Sequence, residues 1–201
     1  MMKYGLPIFL SIALLGYWVP QDKSSQQTSG KNSFIKVEFD PSKKETSVSI
    51  DPFLAINIGY NADIGMMAIS GRFTYSGQTK VSIPQQAEMR FISISRIGWQ
   101  FANEKDLNLT AIVDGENLSL GRAARVSAKK QLEDSRIYDK RDPNYRESYK
   151  YIEAASAFVS YENFAKIANG RRLEIRLGTK NLKIEKKHME AYQALYRAMS
   201  Q

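Results

Sequence analysis

The side chain best suited to proton transfer in this chain is His188, the only histidine among 201 residues, because imidazole titrates between pH 5 and 8 without help from its surroundings. Its neighbours do not favour that role. Lys186 and Lys187 oppose its protonation and offer nothing to orient it as a base. A serine nucleophile would need a carboxylate behind the histidine and an exposed serine in front of it, and no serine stands in a Gly-x-Ser-x-Gly turn. A histidine at the surface or its boundary is the expectation, and no catalytic residue is assigned.

Glycoside cleavage asks instead for two carboxyl groups at a fixed separation. Asp114 and Glu116 are close in sequence, but Asp114-Gly115 is a hairpin turn in its own right. Asp134, Asp139 and Asp142 share a stretch with five basic residues, Arg136, Lys140, Arg141, Arg146 and Lys150, where local charge pairing is the plainer account. No acidic residues alternate as in a calcium loop, and no glycine-rich phosphate loop opens a helix. The chain has no cysteine, which removes disulfides, thiolate nucleophiles and cysteine-ligated zinc or iron–sulfur centres. A histidine-based metal site would need a second chain. No cofactor and no metal are expected.

What remains is binding. Tyr138, Lys140, Arg141, Tyr145, Arg146, Tyr149 and Lys150, followed by Tyr151, mix flat aromatic area with cations, a combination suited to stacking on sugars or holding an anionic polymer. The competing account is that these tyrosines pin a long loop to its sheet. A second cationic group lies at the C-terminal end. From Lys166 onward nine Lys and Arg stand against three Glu, so six of the eight excess positive charges are there. Arg172, Arg176, Lys183 and Lys187, with Lys180 and Lys186, are expected to point outward. Such a balance fits anionic lipid, acidic polysaccharide or nucleic acid. Nucleic acid fits least well, since no recognisable helix or stacking platform carries the charges. Asn108-Leu109-Thr110 and Asn117-Leu118-Ser119 read as chance matches to a glycosylation acceptor.

These groups must be held by strands. Leu173, Ile175 and Leu177 alternate with Arg172, Glu174 and Arg176, Gly178-Thr179-Lys180-Asn181 interrupts, and Leu182 and Ile184 resume, which predicts a hairpin with one buried face. From Glu185 the period lengthens: Met189, Tyr192, Leu195, Tyr196 and Met199 line one side of a helix that must cover a sheet. Ile35, Val37 and Phe39 with Val48 and Ile50 predict a first hairpin. Met66–Tyr75 with Val81-Ser82-Ile83 predict a second, in which Gly71 marks a bulge or a close backbone approach. Phe53–Tyr60 reads as a strand or short buried segment, and Met89–Ile97 as a strand. Residues 107–113 and 118–120 predict a third hairpin around Asp114-Gly115, near the sheet centre. Tyr151–Val159 returns to β-like composition, and Tyr161–Asn169 forms a short helix with Ser160 as N-cap and Gly170 past its end. The fold class that follows is α+β: an antiparallel sheet or sandwich of several hairpins, with the short helix and the C-terminal amphipathic helix packed against it.

The globular α+β domain is expected over residues 34–199. Residues 21–33 contain no apolar side chain and form a polar linker. Residues 1–20 place Lys3 before an uncharged apolar run from Tyr4 to Val19. That is the arrangement of an export signal or, since no Ala-x-Ala site follows, of an N-terminal membrane anchor. The protein is therefore expected to be exported, periplasmic or secreted, and to touch membrane only through residues 4–19 if the leader stays uncleaved. The expected function is a non-catalytic envelope or secreted module binding a partner protein or an anionic glycan. The alternative is a hydrolase of envelope polymer, which would show as two carboxylates facing each other across a cleft.

Overall fold

A computed structural model describes residues 34–51, 53–57, 66–132 and 149–201; the leader and linker expected over 1–33 lie outside that range. The chain runs β1 (Ile35–Asp40), β2 (Glu45–Ile50), β3 (Leu54–Asn57), β4 (Met66–Ser76), β5 (Gln86–Ser95), β6 (Asn108–Val113), β7 (Glu116–Arg122), β8 (Ala124–Leu132), β9 (Tyr149–Ser160), α1 (Tyr161–Asn169), β10 (Leu173–Leu177), β11 (Lys180–Ile184) and α2 (Lys186–Ser200). Seven strands form one antiparallel sheet in the order β1-β2-β4-β5-β9-β8, with β3 paired to the first residues of β4. Four form a second antiparallel sheet, β11-β10-β6-β7. The architecture is α+β, two antiparallel sheets with two helices, one of them C-terminal.

Alternation in the sequence becomes alternation in burial. Val48 and Ile50 of β2, Met67, Ile69 and Phe73 of β4, Met89 and Phe91 of β5, and Ala155, Ala157 and Val159 of β9 are buried, as period-2 geometry requires of one face. They join a contiguous cluster with Leu109, Ile175 and Leu182 of the second sheet and with Phe164, Ile167, Tyr192 and Leu195 of the helices. Each fully buried aliphatic or aromatic side chain contributes on the order of 1.5–3 kcal/mol relative to exposure.

The short helix starts as its sequence predicts, with the Ser160 hydroxyl accepting from the Asn163 N–H at 3.3 Å. The Asp114-Gly115 turn also forms as expected, with φ of 53° and 95° at its two central residues, the mirror-image turn that matches strand twist. Gly71 is a close approach: a Cβ there would stand 2.7 Å from Leu195 Cδ2.

The structure departs from the sequence pattern in five places. First, α2 lies against β1, β2 and β4 of the other sheet, not against the hairpin that precedes it. Second, Val81-Ser82-Ile83 is no strand. Val81 is 90 % exposed, and β4 pairs instead with β5, Arg72 opposite Glu88 and Met66 opposite Ile94. Pro84 has no N–H to give a ladder, so the strand begins beyond it. Third, Gly170 is extended at φ −67° and needs no left-handed turn; it is glycine because a Cβ would collide with the Val113 side chain. Fourth, β7 is an edge strand of the second sheet, and only β6 of that hairpin is interior. Fifth, Ala124–Leu132 forms a strand that no alternation announced.

Candidate binding edge at β8 and β9

The site is built outward from Glu153, a carboxylate buried on the inward face of β9. It accepts hydrogen bonds from three successive backbone N–H groups, those of Gln100, Phe101 (3.0 Å to Oε1) and Ala102 (2.6 Å). A buried carboxylate without such donors would cost several kcal/mol, so this contact fixes the loop between β5 and β6. The Ser95 hydroxyl adds to it, accepting from the Ile97 N–H and the Gln100 side-chain amide, both at 3.2 Å. From the outer side Arg125 of β8 donates to the Phe101 carbonyl at 2.9 Å and to the Glu104 carbonyl.

The loop held in this way presents Trp99. Its ring meets Tyr151 edge to face with centroids 4.9 Å apart. Across the β8–β9 ladder Lys130 is opposite Tyr151 and Leu132 opposite Tyr149. The Lys130 ammonium lies 3.9 Å from the centre of the Tyr149 ring and 5.8 Å from that of Tyr151. Three aromatic rings and a cation therefore gather where the sheet runs past its core.

Beside them β8 is bare. It pairs with β9 alone, and no other strand among the described residues covers its outer edge. Every residue from Ala124 to Lys130 is exposed, as is Leu132; Gln131 is half-buried. The strand carries Arg125, Lys129 and Lys130 and no acidic residue within 124–132, and Gln131 is opposite Lys150 at the start of β9.

Two of the residues expected to bind, Tyr149 and Lys150, lie at this edge. Tyr138, Lys140, Arg141, Tyr145 and Arg146 fall outside the described residues. The C-terminal cations lie elsewhere and are interleaved with acids. Arg172, Arg176, Lys183 and Lys187 are exposed, but Arg176 Nε is 3.2 Å from Glu174 Oε1, Lys183 is opposite that same Glu174, and Lys187 pairs with Glu185 at 2.8 Å. Lys180 is half-buried and turned toward Glu104. The second sheet's outer surface is thus a mixed ionic lattice. The sequence reading missed Trp99, Lys129, Lys130 and Glu153. The signal available was Glu153 itself, a carboxylate at an inward position of an apolar alternation, which must have a partner.

The groups suited to acid–base chemistry are engaged in structure. His188 is buried, 5 % exposed, which corrects the expectation of a surface histidine; it belongs to the inward stripe of α2 beside Met189 and Tyr192. Its Nδ1 has no hydrogen-bond partner. Burial lowers its pKa, Lys187 adds to that effect, and Glu185 opposes it. Asp114 accepts from the Arg171 and Arg172 N–H groups at 3.0 and 2.8 Å and so fastens the β6–β7 turn to the start of β10. A shallow depression of about 250 Å³ on the first sheet is lined by Arg72, Gln86, Glu88 and Phe158. Its carboxylate, Glu88, is flanked by Arg72 at 3.3 Å and Arg90 at 3.8 Å, a cross-strand ion ladder. Among the described residues no cluster of three or more His, Asp or Glu could hold a metal ion, and no helix is long and apolar enough to cross a membrane.

No protein-family model, curated protein or solved structure matches the chain.

Proposed function

We propose that the protein is an exported, non-catalytic module that binds a polyanionic partner along the β8–β9 edge. The observation that carries this reading is β8: an exposed strand whose only charged residues are three cations, Arg125, Lys129 and Lys130. Cations interspersed with acids, as on the second sheet, mainly serve solubility. Cations segregated on one edge raise the local potential and draw a ligand of opposite sign. The rings of Trp99, Tyr149 and Tyr151 add flat apolar area with polar tips next to that charge. Export rests on the apolar leader at residues 4–19 behind Lys3.

Retention on immobilised heparin as a function of salt tests the reading. The variant Lys129→Glu/Lys130→Glu/Lys150→Glu is expected to elute at much lower salt than the parent. The control variant Arg176→Glu/Lys183→Glu is expected to elute close to it. Equal elution of the parent and the β8–β9 variant would falsify the proposal.

A further inference from the structure

The β8 edge shows what kind of polyanion fits it. Ordering a residue in a strand costs roughly 1–2 kcal/mol of backbone entropy, and strands usually recover this by burying one face. β8 buries no apolar side chain, so its ladder with β9 and the Arg125 anchor are what hold it.

Its outer edge presents the N–H and C=O groups of alternate residues, a template for another strand. Natural edges are commonly blunted by lysine, by proline, by cover or by a bulge, and β8 uses the first of these, so an added strand must be one that answers its lysines. β8 contains no proline, its bulge lies near its start, between Arg125 and Ser127, and the register from Ser127 to Leu132 is uninterrupted. Lys129 and Lys130 are adjacent, so they point to opposite faces of the sheet. A second copy of β8 would bring a cationic strand against a cationic strand, which disfavours self-pairing. A polysaccharide answers the charge but offers no row of amides and carbonyls at strand spacing. An extended polypeptide with carboxylates on both faces answers both.

Building on the proposed polyanion-binding role, we infer that the edge from Ser127 to Leu132 takes up an acidic segment of a partner polypeptide as an added strand, with carboxylates meeting Lys129 on one face and Lys130 on the other. Backbone hydrogen bonds supply affinity in this mode, and the two ammonium groups set the preference for acidic sequence.

Amide hydrogen exchange of the full chain, with poly-L-glutamate and with polygalacturonate at equal charge concentration, tests the inference. With poly-L-glutamate, exchange within Ser127–Leu132 is expected to slow severalfold, and Lys129→Glu/Lys130→Glu is expected to abolish the effect. Polygalacturonate is expected to leave those amides unchanged. If both polymers bind in a lysine-dependent way while these amides exchange at the free rate, strand addition is wrong and the polyanion reading stands. If neither polymer binds, both fall.

Discussion

β1 and β8 are the two ends of one seven-stranded sheet, and they are kept in place by different means. Their exposed apolar groups do not distinguish them, since Val37 of β1 is 46 % exposed and Val126 of β8 is 43 % exposed. Cover and charge do. β1 lies beneath α2, and Ile35 packs against the core. It carries charges of both signs, Lys36 pairing with Glu38 at 2.7 Å. β8 stands at the far end of the sheet from the strands α2 packs on, and its own charged residues are all cations. One end of the sheet is packed under a helix, and the other offers an exposed strand whose charges are all positive. That asymmetry makes β8, rather than the more basic C-terminal segment, the better candidate for recognition. Net charge counted residue by residue ranks the two the other way, because it does not register that Arg176, Lys183 and Lys187 stand beside Glu174 and Glu185.

The β1 end of the sheet is loosened most severely from the α2 side. Leu195 is fully buried and reaches the Gly71 backbone of β4. Leu195→Ala removes that contact and leaves a void, so unfolding free energy should fall by about 3 kcal/mol, as large-to-small core changes do. Denaturant titration measures the loss. Amide exchange should quicken in β1 and β2 before β8, because α2 covers only the first of these edges. A somewhat smaller loss, roughly 2 kcal/mol, is expected for Glu153→Gln, which removes the charge from a buried carboxylate serving three backbone donors. Here the order reverses. The Trp99 loop and Arg125 lose their anchor, so exchange should quicken first in β8, and the tryptophan fluorescence of Trp99 should shift toward that of exposed indole. If both variants loosened both edges equally, the two ends of the sheet would not be the independent regions described above.

Much of this frame was legible from residue spacing. The β1–β2, β6–β7 and β10–β11 hairpins, the N-cap at Ser160 and the stripe of α2 follow from local pattern, because in each case a single buried face imposes a period. β8 was invisible for the same reason. With both faces exposed, Ala124–Leu132 has no apolar alternation to read, and it exists as a strand only through its long-range ladder with β9. Val81-Ser82-Ile83 failed in the opposite direction, showing the alternation without a neighbour to pair with. Gly170 ends α1 as its position predicts, but what requires glycine there is Val113, a contact 57 residues away in the chain that local sequence cannot report. Of the candidate site, Tyr149 and Lys150 were found by composition. Trp99 and Lys130 join them only because Glu153 and the β8 register bring them there.

The mildest way to separate the two edges is with protons. His188 is the only histidine in the chain, and it sits on the helix that covers β1. Burial, then Lys187, lowers its pKa from the ordinary 6.5, against the opposing pull of Glu185. A lowered folded-state value means that the unfolded chain takes up the proton first. The neutral imidazole therefore contributes its full stability above 6.5, and that contribution is lost as pH falls from 6.5 through the lower folded-state value. The melting temperature should accordingly drop between about pH 7.5 and about pH 5.5, a window in which few other side chains titrate. His188→Gln should flatten that drop. Because α2 packs on β1, β2 and β4, toward the opposite end of the sheet from β8, acidification over this window should quicken amide exchange in β1 and leave β8 unchanged. A parent protein whose melting temperature stayed level across the window would mean that His188 is as well accommodated charged as neutral. The inward stripe of α2, with Met189 and Tyr192 buried on either side of that imidazole's turn, argues against such accommodation.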